Sequence, residues 1–67
     1  MTIIFNNENI QLPNEYMTLE DLAKWKNIPS QGSAIALNDK LVKHDNWSVT
    51  VLKDLDRVTV ITAAFGG

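Results

Sequence analysis

A chain of 67 residues with a formal charge of −2 and no cysteine has no disulfide framework, no thiolate metal site and no thiol nucleophile. Its six Lys and Arg residues are scattered, so it lacks the clustered basic surface that phosphate contacts require, and no nucleic-acid partner is expected. With 45% apolar and 21% charged residues it should fold, but at this length a domain buries only about 60% of its unfolded surface, which leaves no room for a deep cleft.

Thr2-Ile3-Ile4-Phe5-Asn6 is rich in β formers. Asn7-Glu8-Asn9 reads as a turn, and Ile10-Gln11-Leu12 as a second short strand closing a hairpin. Pro13-Asn14 ends it, because proline cannot donate to a ladder and Asn favours turns. A helix follows with Thr18 as N-cap. Asp21 stands three residues on as a short capping-box partner, Glu20 and Asp21 face the positive end of the dipole, and Met17 and Leu22 occupy the hydrophobic-staple positions. Leu19, Leu22 and Ala23 form its apolar stripe, with Trp25 and Lys26 at the edges. The helix should stop by Asn27, since Pro29 pushes Ile28 out of the helical region.

After the loop Ser30-Gln31-Gly32-Ser33, the run Ala34 to Asn38 is expected to be a strand partly covered on both faces. Asn38-Asp39 is a tight-turn signal, and Lys40-Leu41-Val42 the return arm of a second hairpin. Lys43 to Asn46 is polar, and Trp47 should pin that loop to the domain. Val49 to Leu52 is β-prone, Lys53 to Asp56 a turn, and Arg57 to Thr62 the last strand, with Val58 and Val60 on one face and Thr59 and Ile61 on the other. The order β-β-α-β-β-β predicts an α+β domain over residues 1–62. In it a mixed sheet of four to five strands is covered by one main helix, in the ubiquitin-like β-grasp pattern. The helix supplies the long crossover that lets the final strand run parallel to the first. The longest apolar run, Ala34 to Leu37, is far below the ~20 residues that span a bilayer, and the N-terminus has no signal-peptide pattern. No membrane partner and a cytoplasmic location are therefore expected.

Candidates for chemistry are few. His44 is the sole histidine, with no cysteine or carboxylate cluster beside it, so neither a metal site nor a catalytic triad is expected and no catalytic residue is assigned. The acidic residues fall mostly at turns and at the helix start, where capping and solvation account for them. Two of the three glycines are the last two residues, so no phosphate-cradling loop exists. Trp25 and Trp47 are expected to pack the core. What stands out is residues 63–67, Ala63-Ala64-Phe65-Gly66-Gly67, expected to be a flexible tail. Gly66 and Gly67 have no Cβ, so the backbone can enter a narrow channel and present the Gly67 carboxylate to a partner's active site. Phe65 and Ile61 are candidate docking residues, because large apolar groups exposed near a working end mark interfaces; packing back onto the sheet is the other reading.

Ala36-Leu37-Asn38-Asp39-Lys40-Leu41-Val42, Trp47, Leu52 through Asp56-Arg57-Val58 and the final Gly66-Gly67 together resemble the sulfur carrier proteins of thiamine biosynthesis, the ThiS family, over nearly the whole chain. Leu55 stands where that family usually has Gly, and Lys43-His44 replaces a more typical Pro-Arg. The resemblance implies a carrier and not an enzyme, with no bound cofactor. A ThiF-like adenylating enzyme would use ATP to convert the Gly67 carboxylate to an acyl-adenylate. A sulfur donor, such as a cysteine desulfurase or another sulfurtransferase, would turn that into a thiocarboxylate, and thiazole synthase (ThiG) would consume the sulfur. Ala64, Phe65 and Gly66 would enter the partner's active site. Three alternatives stay open: a molybdopterin synthase small-subunit-like carrier, a ubiquitin-like modifier, and a plain β-grasp interaction module.

Overall fold

Two pairs of polar residues with positive φ fold the chain into hairpins. Asn6 and Asn7 stand at φ 48° and 68°, and Asn38 and Asp39 at 51° and 71°. Positive φ at both central residues is the pattern of the type I′ turn, whose twist matches that of the flanking strands. Asn and Asp tolerate it better than other residues that carry a Cβ. The structure, a computed structural model that describes residues 1–62, accordingly pairs β1 (Thr2–Phe5) with β2 (Glu8–Gln11), and β3 (Ser33–Leu37) with β4 (Lys40–Val42), both antiparallel. The first turn lies one residue earlier than the sequence suggests, because Asn6 already takes the left-handed conformation. Leu12 falls just outside β2, buried, with its N–H donating to the Met1 carbonyl at 2.8 Å.

The last strand, β5 (Arg57–Thr62), lies in the middle of the sheet, parallel to β1 and antiparallel to β3, giving the order β2-β1-β5-β3-β4. This is the expected mixed sheet with one main helix. The crossover is α1 (Leu19–Trp25). The Thr18 hydroxyl accepts the Asp21 N–H at 3.1 Å, and the Asp21 carboxylate accepts the Thr18 N–H at 3.0 Å, closing the box. At the other end the Ile28 N–H reaches the Ala23 carbonyl at 2.8 Å and the Asn27 N–H reaches Lys24 at 3.3 Å, with Asn27 at φ 57°. That is a Schellman stop with Asn in the left-handed position, so the helix ends on Asn27 itself before Pro29 can act.

One face of the sheet packs on α1. Ile3, Ile35 and Val58 from the sheet meet Leu19 and Leu22 from the helix, all essentially out of water, each contributing about 1.5–3 kcal/mol. Leu12, Met17, Ala23, Trp47 and Leu52 complete the core. Trp47 sits on a 3₁₀ segment, His44–Val49, and its indole N–H donates to the Val42 carbonyl at 3.0 Å. Trp25 departs from expectation: it is 44% exposed, with the Lys26 ammonium 5.6 Å from its ring centroid. A seven-residue helix offers a narrow stripe, and Leu19, Leu22 and Ala23 fill it. The β-prone stretch Val49 to Leu52 makes only an isolated bridge, Val51 to Thr18. No helix among the described residues is long and apolar enough to cross a membrane.

The turn before β5 carries strain. Leu55 has φ 68° and is 63% exposed. Its N–H is held by the Thr2 carbonyl at 2.6 Å, while the Asp56 carboxylate accepts the Lys53 N–H at 2.8 Å. The left-handed conformation that a glycine would take at no cost is thus kept by a leucine, at roughly 1–2 kcal/mol. Leu55→Gly relieves that cost, less about 0.4–1 kcal/mol for the freer unfolded chain. It is expected to raise the melting temperature by a few degrees, whereas Leu55→Ala, which keeps the Cβ, leaves it near the native value. Thermal unfolding of the two variants checks this; a lower melting temperature for Leu55→Gly would contradict it.

Candidate functional site

The site expected from sequence is the end of β5 together with the five residues after it. Ala64, Phe65, Gly66 and Gly67 lie outside the described residues, so the structure bears on the platform from which they continue. That platform is tied on both sides. Toward β1, the Ile4 and Asn6 N–H groups donate to the Asp56 and Val58 carbonyls at 2.8 and 2.9 Å. Toward β3, the Asn38 N–H donates to the Arg57 carbonyl at 2.8 Å.

Two asparagine side chains extend these ladders. Asn6 Oδ1 accepts the Val60 N–H at 2.8 Å and Asn38 Oδ1 accepts the Arg57 N–H at 2.9 Å. Asn38 also donates from Nδ2 to Asp56 at 3.0 Å, which joins the second hairpin turn to the turn before β5. The residues that carry the family resemblance around Asn38 and Asp56 are therefore structural, aiming and anchoring the strand that leads to the C-terminus. An exposed ion pair between Arg57 and Asp39 lies beside them; surface pairs of this kind contribute at most about 1 kcal/mol.

Ile61 is on the face opposite the helix and is 65% exposed. It pairs across the sheet with Ala34. Ala36 pairs with Thr59 on one side and with Leu41 on the other, and Leu41 is 71% exposed. Cross-strand partners share a face, so Ile61, Ala34, Ala36 and Leu41 form one apolar strip running from β5 toward the β4 edge. Leu41 was not legible as a site residue, because in Lys40-Leu41-Val42 two neighbouring apolar residues compete for the inner face. Only the register Ile35 to Val42 decides that Val42 points in and Leu41 out.

A hollow lies elsewhere on the described surface. It holds about 350 Å³ on the helix side, between α1 and the 3₁₀ segment, with His44, Glu20, Lys24 and Ser30 among its lining. His44 stands edge-on to the Trp47 ring, centroids 4.7 Å apart, and Glu20 pairs with Lys24 at 3.2 Å on the helix surface. Among the described residues no group of three or more His, Asp or Glu could hold a metal ion. The carboxylates that could have suggested acid–base chemistry, Asp21, Asp54 and Asp56, are engaged with backbone N–H groups at turns and caps.

The fold has close counterparts of known structure. The crystal structure of a thiamine biosynthesis protein (ThiS) from Geobacter metallireducens superposes with a TM-score of 0.85 at 19% identity, covering all of both chains. The NMR solution structure of a thiamine biosynthesis protein from the same organism gives the same score and identity over all of this chain and 88% of that one. At that identity the likeness establishes the fold alone. No curated protein matches the chain in sequence. The model of the ThiS family matches residues 3–67, a span that takes in the five-stranded sheet, its helix and the residues beyond β5, and on that match the chain belongs to the ThiS family.

Proposed function

We propose that this protein is a sulfur carrier whose Gly67 carboxylate is activated and thiolated by partner enzymes, and that it supplies sulfur for the thiazole of thiamine. The observation that carries the reading is the family match, which runs through the final Gly66-Gly67. The geometry supports it: the strand that leads to those residues is held on both sides in the sheet centre, beside an exposed apolar strip.

An α-carboxylate, ionised at pH 7 because its usual pKa is about 3.5, is a poor electrophile. A ThiF-like enzyme therefore has to join it to the AMP portion of ATP, releasing pyrophosphate. Sulfide attacks the acyl carbon and AMP leaves, which gives the thiocarboxylate directly; a persulfide donor displaces AMP to give an acyl disulfide, which a second thiol then cleaves to the thiocarboxylate, leaving as a disulfide with the donor's sulfur. The five residues 63–67 reach at most ~17 Å when extended. Ala64, Phe65 and Gly66 would thread the partner's channel, Phe65 making its docking contact at the entrance, while Ile61 docks outside with Leu41 continuing the surface. Glycine at 66 and 67 allows the close approach.

Incubation with an adenylating enzyme of this type, ATP, cysteine and a cysteine desulfurase is expected to convert the native chain to a species heavier by the exchange of one oxygen for sulfur, localised to Gly67 by intact-mass and fragment spectra. That product should then support thiazole formation by thiazole synthase. Absence of the thiolated species would overturn the carrier reading. Its consumption by a molybdopterin synthase large subunit in place of thiazole synthase would move the carrier to the other pathway.

A further inference from the structure

The ladder between β1 and β5 stops one rung short of the end of β5. In a parallel pair, a residue on one strand donates to the carbonyl before, and accepts from the N–H after, the residue it brackets on the other. Even-numbered residues of β5 face β1 and odd-numbered ones face β3, as the bonds from Asn6 to Val58 and from Asn38 to Arg57 show. Ile4 brackets Arg57. Asn6 brackets Thr59, giving its N–H to the Val58 carbonyl and, in place of its own carbonyl, its side-chain oxygen to the Val60 N–H. Positive φ at Asn6 and Asn7 then turns the chain away into β2. The next position, around Ile61, is vacant on that side: among the described residues nothing bonds the Val60 carbonyl or the Thr62 N–H there. A strand that begins in the sheet interior therefore ends as an edge, and open edges accept added strands.

We infer that this vacancy is a strand-addition site for an extended segment of the adenylating enzyme, which donates one N–H to the Val60 carbonyl and accepts the Thr62 N–H. The inference rests on the carrier reading and adds to it how the root of the tail is held. The vacancy immediately precedes residues 63–67, so a protein that takes them must pass over it. A single rung buries far too little to join two copies of this chain, since specific interfaces bury on the order of 1,600 Å². As part of an interface that already grips the residues beyond it, the rung fixes their direction. The residue that brackets Ile61 puts its side chain on the same open face as Ile61, so an apolar, non-proline residue fits the position.

At 67 residues the chain is accessible to total chemical synthesis, which allows the amide between Ile61 and Thr62 to be replaced by an ester. This deletes the Thr62 N–H and leaves every side chain in place. The ester protein is expected to melt within a few degrees of the native one and to bind the adenylating enzyme about fivefold to tenfold more weakly by calorimetry, the effect of one intermolecular hydrogen bond. An ester between Val58 and Thr59, which deletes an N–H facing β3 and weakens only the Val58 carbonyl that Asn6 already bonds, should do the reverse, lowering the melting temperature with little change in affinity of the folded protein. Unchanged affinity of the Thr62 ester, with the native chain still adenylated, overturns strand addition and leaves the carrier reading standing. Failure of the native chain to be bound or adenylated overturns both. Sedimentation showing that the Thr62 ester alters self-association, with enzyme binding unaffected, would give the vacancy to a second copy and likewise overturn the proposal.

Discussion

Deleting Gly67 is expected to abolish thiolation while leaving the fold as it is. The buried core runs from Ile3 to Val58, so nothing within it depends on the last residue, and the melting temperature should stay within about a degree. The proposed chemistry depends on it entirely. Removing one residue withdraws the terminal carboxylate by about 3.5 Å, and a misplacement of even 1 Å at a reacting centre can cost on the order of 100-fold. Adding one alanine after Gly67 displaces the carboxylate by as much in the other direction. Both variants should show a loss of more than about 100-fold in ATP-dependent pyrophosphate release by the adenylating enzyme, measured in single turnover, with circular dichroism melting curves that overlay the native one. Retained turnover in either variant would mean that the terminus is incidental and that the domain works through its surface alone.

Trp47→Ala should have the largest effect on stability. The indole is almost fully buried beneath the 3₁₀ segment, and it is the hydrogen-bond partner of the Val42 carbonyl at the end of β4. Truncating a buried aromatic to alanine costs about 3–5 kcal/mol, and the stranded carbonyl is part of that loss. Net stability is about 0.05–0.15 kcal/mol per residue, so the variant would lose most of what holds a domain of this length together. It should be largely unfolded at 37 °C. Trp47→Phe keeps most of the apolar volume but not the N–H, and is expected to lose about 1–2 kcal/mol. Urea unfolding followed by circular dichroism separates the two; a loss under 1 kcal/mol for the alanine variant would show that the segment does not depend on its tryptophan.

The parts of this molecule that local chemistry dictates were readable from the residues. Thr18 and Asp21 announce the helix start because a short hydroxyl and a carboxylate three residues apart can satisfy each other's backbone donors. Asn38-Asp39 announces a hairpin because few other pairs accept two positive φ values. The alternation in Arg57 to Thr62 placed Ile61 on the open face, where the structure has it. The features that escaped depend on pairing between distant segments. The hairpin turn at Asn6 and Asn7 competed with an equally polar Glu8-Asn9. The exposure of Leu41 follows from register with β3, and that of Trp25 from how little of a two-turn helix the sheet can cover. Least legible was the second use of Asn6 and Asn38. A turn asparagine looks complete with its backbone in the left-handed region, and nothing local shows that its side chain also closes a ladder 54 or 19 residues away.

The parallel pairing of the first and last strands also determines how the protein bears load. Tension applied between its N-terminus and the end of β5 pulls these two neighbours in opposite directions along their length. Their contacts, from Thr2 and Leu55 to Asn6 and Val60, are then strained together in shear and are not peeled open one at a time. A partner that draws the C-terminus into a channel thus pulls on the strand of this sheet best placed to resist, and the domain can stay folded outside while its end is worked upon within.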